Sequence, residues 1–160
     1  MSAFVSLDHV QLAIPVGGEA DARRFYCDLL GMEEIPKPPA LAARGGLWLR
    51  SGGVVIHLGV EADFRAARKA HPALVCASYG ALLAKLRAAG LEIRDDHELP
   101  GVERCHIDDV FGNRIELIAD RERVDRVDGD PAVTDEQRDE WNVPPLAEAK
   151  AQAERMNAPK

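Results

Sequence analysis

The hydrophobic and polar positions of the chain fall into one pattern that occurs twice. Residues 5–14, VSLDHVQLAI, alternate well enough to predict a strand. Ala22, Phe25, Tyr26, Leu29 and Leu30 then recur at helical spacing, with Gly31 placed to end the helix in a left-handed conformation. The runs MEEIP, GLWLRS and GVVIHLGV predict three further strands. The last two are joined through a hairpin turn at SGG, 51–53. The second occurrence begins with HPALVCAS. The helical run SYGALLAKLRAAG follows, with Tyr79, Leu82, Leu83 and Leu86 on one face, Ser78 as N-cap and Gly90 as stop. LEIRD, ERCHID and NRIELIA complete it as strands. Each half reads strand–helix–strand–strand–strand.

Spacing supports a duplication. Counting 26 residues forward from Gly31 reaches His57, and the same count from Gly90 reaches Glu116. Counting back from the two glycines reaches His9 after 22 residues and His71 after 19, the difference falling in the turn PVGGEAD. An α+β fold is therefore predicted, with two tandem βαβββ modules at 5–60 and 69–119 inside a domain spanning 1–120. Two facing, curved half-sheets would bring the first and last strands of the modules together.

Composition narrows the function without naming it. Twenty Lys and Arg against 27 Asp and Glu give a net charge of −7 and no basic stripe, which argues against nucleic acid as a partner. No apolar run approaches a membrane span, and the first ten residues lack a signal-peptide core. Cys27, Cys76 and Cys105 are odd in number and form no C-x-x-C pair, so a reduced, cytoplasmic setting is expected.

The candidate chemistry lies at the repeat-equivalent positions. His9 and His71 stand in the first strands of the modules, His57 and Glu116 in the last. An imidazole–carboxylate set of this kind suits a divalent transition metal: Fe, Zn, Ni, Co or Mn. Glu116 sits among the apolar residues of the strand in DVFGNRIEL, where an inward carboxylate needs a partner. Three imidazoles and one carboxylate around a dication leave net positive charge, which favours an anionic substrate.

LDHVQLAI, RRFYCDLLGMEE and DVFGNRIEL together resemble the opening strand, first helix and closing turn-and-strand of the vicinal oxygen chelate superfamily. That superfamily includes glyoxalase I, fosfomycin- and bleomycin-resistance proteins and extradiol dioxygenases. The resemblance covers about residues 5–119. It implies that the modules form a curved mixed sheet around a metal-binding cleft, with metal ligands on the first and last strands of each module, here His9, His57, His71 and Glu116, and a homodimer. Two departures stand out: Val110 follows Asp109 where proline is common, and His57 replaces a carboxylate of glyoxalase I-like sites. Glu116 is thus the sole carboxylate, and His9, His71 and Glu116 match the two-His, one-carboxylate subset. The resemblance also suggests a cleft-facing His106 as proton donor, with Arg104 as anion anchor and Gln11 beside the substrate.

The implied function is a metal-dependent enzyme acting by Lewis-acid catalysis on a small oxygen-chelating substrate, of lyase, isomerase or transferase type. Two alternatives are an Fe(II) extradiol-type dioxygenase and a non-catalytic protein that binds a small molecule or antibiotic. Specificity is expected from the loops at 36–46 and 95–103. Residues 121–160 read as a charged, Pro-punctuated extension with a short helix around 145–157, docked through Trp141 and Leu146.

Overall fold

The computed structural model describes residues 3–120. The C-terminal extension, with its expected helix and Trp141, lies outside the described residues. Strand β1 (Val10–Pro15) leads to a short helix α1 (Glu19–Ala22), which runs on as a π-helix over Arg23–Leu29. Then come β2 (Glu33–Ile35), α2 (Pro39–Ala42), β3 (Leu47–Ser51) and β4 (Val54–Glu61). The second half contains β5 (Ala73–Cys76), α3 (Tyr79–Ala88), β6 (Arg94–Asp96), β7 (Arg104–Asp108) and β8 (Arg114–Ala119). No helix among the described residues is long and apolar enough to cross a membrane.

The strands form two four-stranded sheets of identical order, β1-β4-β3-β2 and β5-β8-β7-β6. In each, the first strand lies parallel to the last and the other pairs are antiparallel. The register makes the duplication concrete. Gln11 pairs with His57 and Ala73 with Glu116; His9 and His71 each stand two residues before the first member of their pair. Across the neighbouring strand, Trp48 faces His57 and His106 faces Glu116.

Strand alternation sends one face of each sheet to the core. Leu12, Ile14, Leu47, Leu49, Ile56 and Leu58 point inward from the first sheet, and Cys105, Ile107, Ile115, Leu117 and Ala119 from the second. Ala22, Phe25, Tyr26, Leu83 and Leu86 from the helices join the same cluster. Full burial of each such large apolar side chain contributes roughly 1.5–3 kcal/mol. The opposite faces carry the polar residues: His9, Gln11, Trp48, Arg50 and His57 on one sheet, His71, Asp96, Arg104, His106 and Glu116 on the other.

Three local expectations are corrected. The first strand begins at Val10 rather than residue 5, and Phe4, Val5 and Leu7 are exposed, so the apolar alternation there buries nothing. The first helix keeps its buried stripe but widens, with Leu30 N–H bonding the Phe25 carbonyl five residues back at 2.9 Å. Ser78 occupies the N-cap of α3, yet its hydroxyl makes no capping bond; its carbonyl instead accepts from Leu82 N–H. Helix α2, inside the 36–46 loop, was not expected.

The turn of DVFGNRIEL ties the two modules together. Asp109 is buried and accepts from the Tyr26 hydroxyl (2.8 Å), the backbone N–H groups of Phe111 and Asn113 (2.8 Å each) and Asn113 Nδ2 (2.9 Å). Asn113 in turn donates to the Ala13 carbonyl of β1 and accepts from Ala67 N–H. Val110 flanks this turn exposed, a place where proline is not required.

Candidate metal centre

His71, two residues before β5, lies with His106 of β7 and Glu116 of β8 on one face of the second sheet. Their ligating atoms all lie within 4.8 Å of one another, close enough to hold a metal ion together. Glu116 is 7% exposed in a strand whose neighbours Ile115 and Leu117 are buried, so its charge must be satisfied locally. The partners are specific. His71 Nε2 stands 3.2 Å from Oε2, and Arg104 donates to Oε1 at 2.9 Å. Arg104 also pairs with Asp96 at 2.8 Å.

The orientation of His71 is fixed from behind. Its Nδ1 lies 2.7 Å from the Lys69 carbonyl, which can only accept, so Nδ1 carries the proton. In the neutral ring Nε2 then presents a lone pair to the Glu116 carboxylate. Two acceptors at 3.2 Å repel unless a proton or a metal cation lies between them. Histidine ligands are held in this way by a backbone acceptor on the remote nitrogen. His106 packs edge-on against His71, with ring centroids 5.3 Å apart, and burial holds its imidazole below the usual range, favouring the neutral ligating form.

His9 and His57, expected with this group, lie instead on the equivalent face of the first sheet. Their rings stack with centroids 3.9 Å apart and planes at 24°, and Trp48 stacks on His57 at 4.2 Å and 5°. His9 Nδ1 is held by Asp8 at 2.7 Å, and its Nε2 has no hydrogen-bond partner among the described residues. Burial, reinforced by His9, holds His57 below the usual imidazole range. Gln11 lies on this face beside Gly59. Arg104, expected as a substrate anchor, has both terminal nitrogens on Glu116 and Asp96, and its buried Nε has no partner among the described residues.

The sequence reading missed Asp96, the carboxylate behind Arg104, because β6 is three residues long and shows no clear alternation. It also passed over Trp48. The hairpin alone places that residue: counting outward from the Gly52–Gly53 turn pairs Ser51 with Val54 and Trp48 with His57.

Paired βαβββ modules with a His–His–carboxylate group on a polar sheet face define a glyoxalase-type domain. The chain belongs to the Glyoxalase/Bleomycin resistance protein/Dioxygenase superfamily, matched over residues 6–117. Among solved structures it is similar to a glyoxalase family protein from Bacillus anthracis, with 45% identity over 76% of this chain and 100% of that one, at a TM-score of 0.72. The fold is shared with a genomically encoded fosfomycin resistance protein, FosX, from Listeria monocytogenes (17% identity, 75% and 98% covered, TM-score 0.59). It is shared also with TnmS3, an antibiotic binding protein from Streptomyces sp. CB03234 (20%, 74% and 98%, 0.56). No curated protein sequence matches the chain significantly.

Proposed function

We propose that the chain is a divalent-metal-dependent enzyme acting on a small anionic substrate that offers two oxygens, by lyase, isomerase or transferase chemistry. The observation that carries this reading is the slot between His71 Nε2 and Glu116 Oε2, flanked by His106. His71, His106 and Glu116 would hold the metal, which when bound supplies a Lewis acid for developing oxyanion charge. Arg104 keeps Glu116 Oε1 engaged and so leaves one oxygen for the metal. His106, whose imidazole burial keeps neutral, would be the group that holds or moves a proton beside the substrate oxygens.

His9 and His57 lie outside the 4.8 Å group. We propose that they reach it from the first sheet of a second copy in a homodimer, completing the His9, His57, His71 and Glu116 set. The Nε2 of His9, unpartnered among the described residues and backed by Asp8, supports this. Cys27, Cys76 and Cys105 are free thiols, which suits a cytoplasmic setting.

Metal content after purification, with thermal shifts on adding Mn(II), Fe(II), Ni(II) or Zn(II), tests the reading. Wild type is expected to bind one of these and His71→Ala and Glu116→Gln to lose it. Absence of binding to wild type overturns the enzyme reading and leaves the small-molecule binding protein. Mixing His9→Ala with Glu116→Gln chains and recovering part of the binding supports the shared site. Because two histidines and a carboxylate also suit Fe(II) oxygenases, oxygen uptake with catechol separates ring cleavage from redox-neutral chemistry.

A further inference from the structure

The strands β6, β7 and β8 place Arg94, Arg104 and Arg114 on the polar face of the second sheet, and among the described residues only the first two have carboxylate partners. Residues two apart on a strand share a side, so β7 gives this face Arg104, His106 and Asp108, and β8 gives it Arg114, Glu116 and Ile118. The antiparallel register sets His106 opposite Glu116 and Asp108 opposite Arg114. On the other flank Arg94 of β6 stands opposite His106.

The carboxylates that these strands supply are already engaged. Arg104 bridges Asp96 and Glu116. Arg94 holds both oxygens of Asp108, at 2.6 and 3.1 Å, and so draws away the carboxylate directly across the ladder from Arg114. The Arg114 side chain makes no hydrogen bond or ion pair among the described residues, and its Nε is buried without a partner there. A half-buried guanidinium left in this state costs stability, and an anion from solution would offset that cost. Its position suits one. Two residues of strand separate Arg114 from Glu116, about 7 Å. Burial first, and the Arg114 charge to a lesser extent, hold the His106 imidazole below its ordinary range, which puts the guanidinium within electrostatic reach of the trio. A planar fork of this kind takes a carboxylate through two parallel hydrogen bonds.

We propose, on the footing of the metal-enzyme reading, that Arg114 determines the specificity of that site by receiving a second carboxylate of the substrate. The substrate class is then a small dicarboxylate with an oxygen next to one of its carboxylates. That oxygen and the adjoining carboxylate face His71, His106 and Glu116, and the far carboxylate faces Arg114. Arg104, already shared between two carboxylates, leaves this role open.

Titration calorimetry with 2-oxoglutarate and 2-oxopentanoate tests this, because the two share the oxo-acid end and differ in a carboxylate against a methyl group. The full chain is first saturated with whichever of Mn(II), Fe(II), Ni(II) and Zn(II) stabilises it most, and the metal content of each sample is measured. Wild type is expected to bind 2-oxoglutarate about tenfold or more tighter than 2-oxopentanoate. Arg114→Gln breaks no bond among the described residues, so it is expected to fold, to keep the metal and to reduce the preference to about twofold or less. Arg114→Lys, which keeps the charge but loses the fork, is expected to fall in between. No binding of 2-oxoglutarate to the metal-loaded wild type, no preference for it, or a preference that survives Arg114→Gln overturns the assignment and leaves the metal-enzyme reading standing. Loss of the metal from both Arg114 variants also overturns it, because Arg114 would then serve the metal site rather than the substrate. Wild type that takes up none of the four cations overturns both.

Discussion

Arg104 Nη1 donates to Glu116 Oε1 at 2.9 Å across the β7–β8 pair, while the other carboxylate oxygen faces His71. The guanidinium thus acts as the counterion of the carboxylate that the metal would use. A metal ion held by Glu116 would take over part of that role. Replacing Arg104 with Met leaves Glu116 and Asp96 without their shared cation on a partly enclosed face. The metal-free variant is expected to melt below wild type. Its gain in Tm on saturation with metal is expected to exceed the wild-type gain, because the ion now neutralises an unpaired carboxylate. Differential scanning calorimetry with and without Mn(II) checks this; equal increments count against the counterion role.

Asp109 is the acceptor for four donors, three within its own turn and one, the Tyr26 hydroxyl, from the first module. Asp109→Ala strands the buried Tyr26 hydroxyl and two backbone N–H groups, each worth about 1–3 kcal/mol when left unpaired. A loss of about 4 kcal/mol is expected in urea unfolding. Tyr26→Phe removes one donor from a carboxylate that keeps the other three, and about 1 kcal/mol is expected. Similar losses for the two variants would show that the hub does not act through Asp109.

The same hub explains what the sequence could and could not reveal. Gly31 and Gly90 mark the repeat because both sit at positive φ after a helix, a local demand that glycine meets without strain. Strand alternation and equal 26-residue spacing then identify His57 and Glu116 as equivalents, and the pairing register agrees. The candidate metal trio was only partly legible. His106 joins it because β7 and β8 are antiparallel in the register that sets it opposite Glu116, a relation between strands that residue types alone do not encode. The separation of His9 and His57 from His71 depends on how the two sheets are arranged, which spacing within each module does not constrain. Phe4, Val5 and Leu7 misled for the opposite reason: alternation predicts a strand, but only a pairing partner makes one, and β1 gains its own only from Val10.

Gly46 closes the loop between α2 and β3. It has φ +76°, and a Cβ there would lie 2.0 Å from the Leu58 carbonyl oxygen, a backbone atom that cannot step aside. Gly31 has the same φ but nothing within 4 Å. Gly31→Ala is therefore expected to cost about 1 kcal/mol from backbone conformation alone. Gly46→Ala adds a backbone clash and is expected to cost at least twice as much. Equal unfolding midpoints for the two variants would contradict this.

Arg23 and Glu34 form a bidentate pair at 2.7 and 2.9 Å between the π-helix and β2. Hydrogen bonding from Arg23, more than its charge, holds the Glu34 carboxyl below the ordinary glutamate value of 4.5. A folded-state value below the unfolded one means that the pair's stabilisation is fully present above about pH 5. It declines as the pH falls through 4.5 toward the folded-state value, and is absent once Glu34 is protonated in both states. Both side chains are more than a third exposed, so solvent screening keeps the contribution below about 1 kcal/mol. Arg23→Gln is expected to lower stability slightly at pH 7 in low salt and to flatten the loss between pH 5 and 3. Urea titrations at pH 7, 5 and 3 check this. If the variant and wild type differ by the same amount at pH 3 as at pH 7, the pair does not set the Glu34 carboxyl.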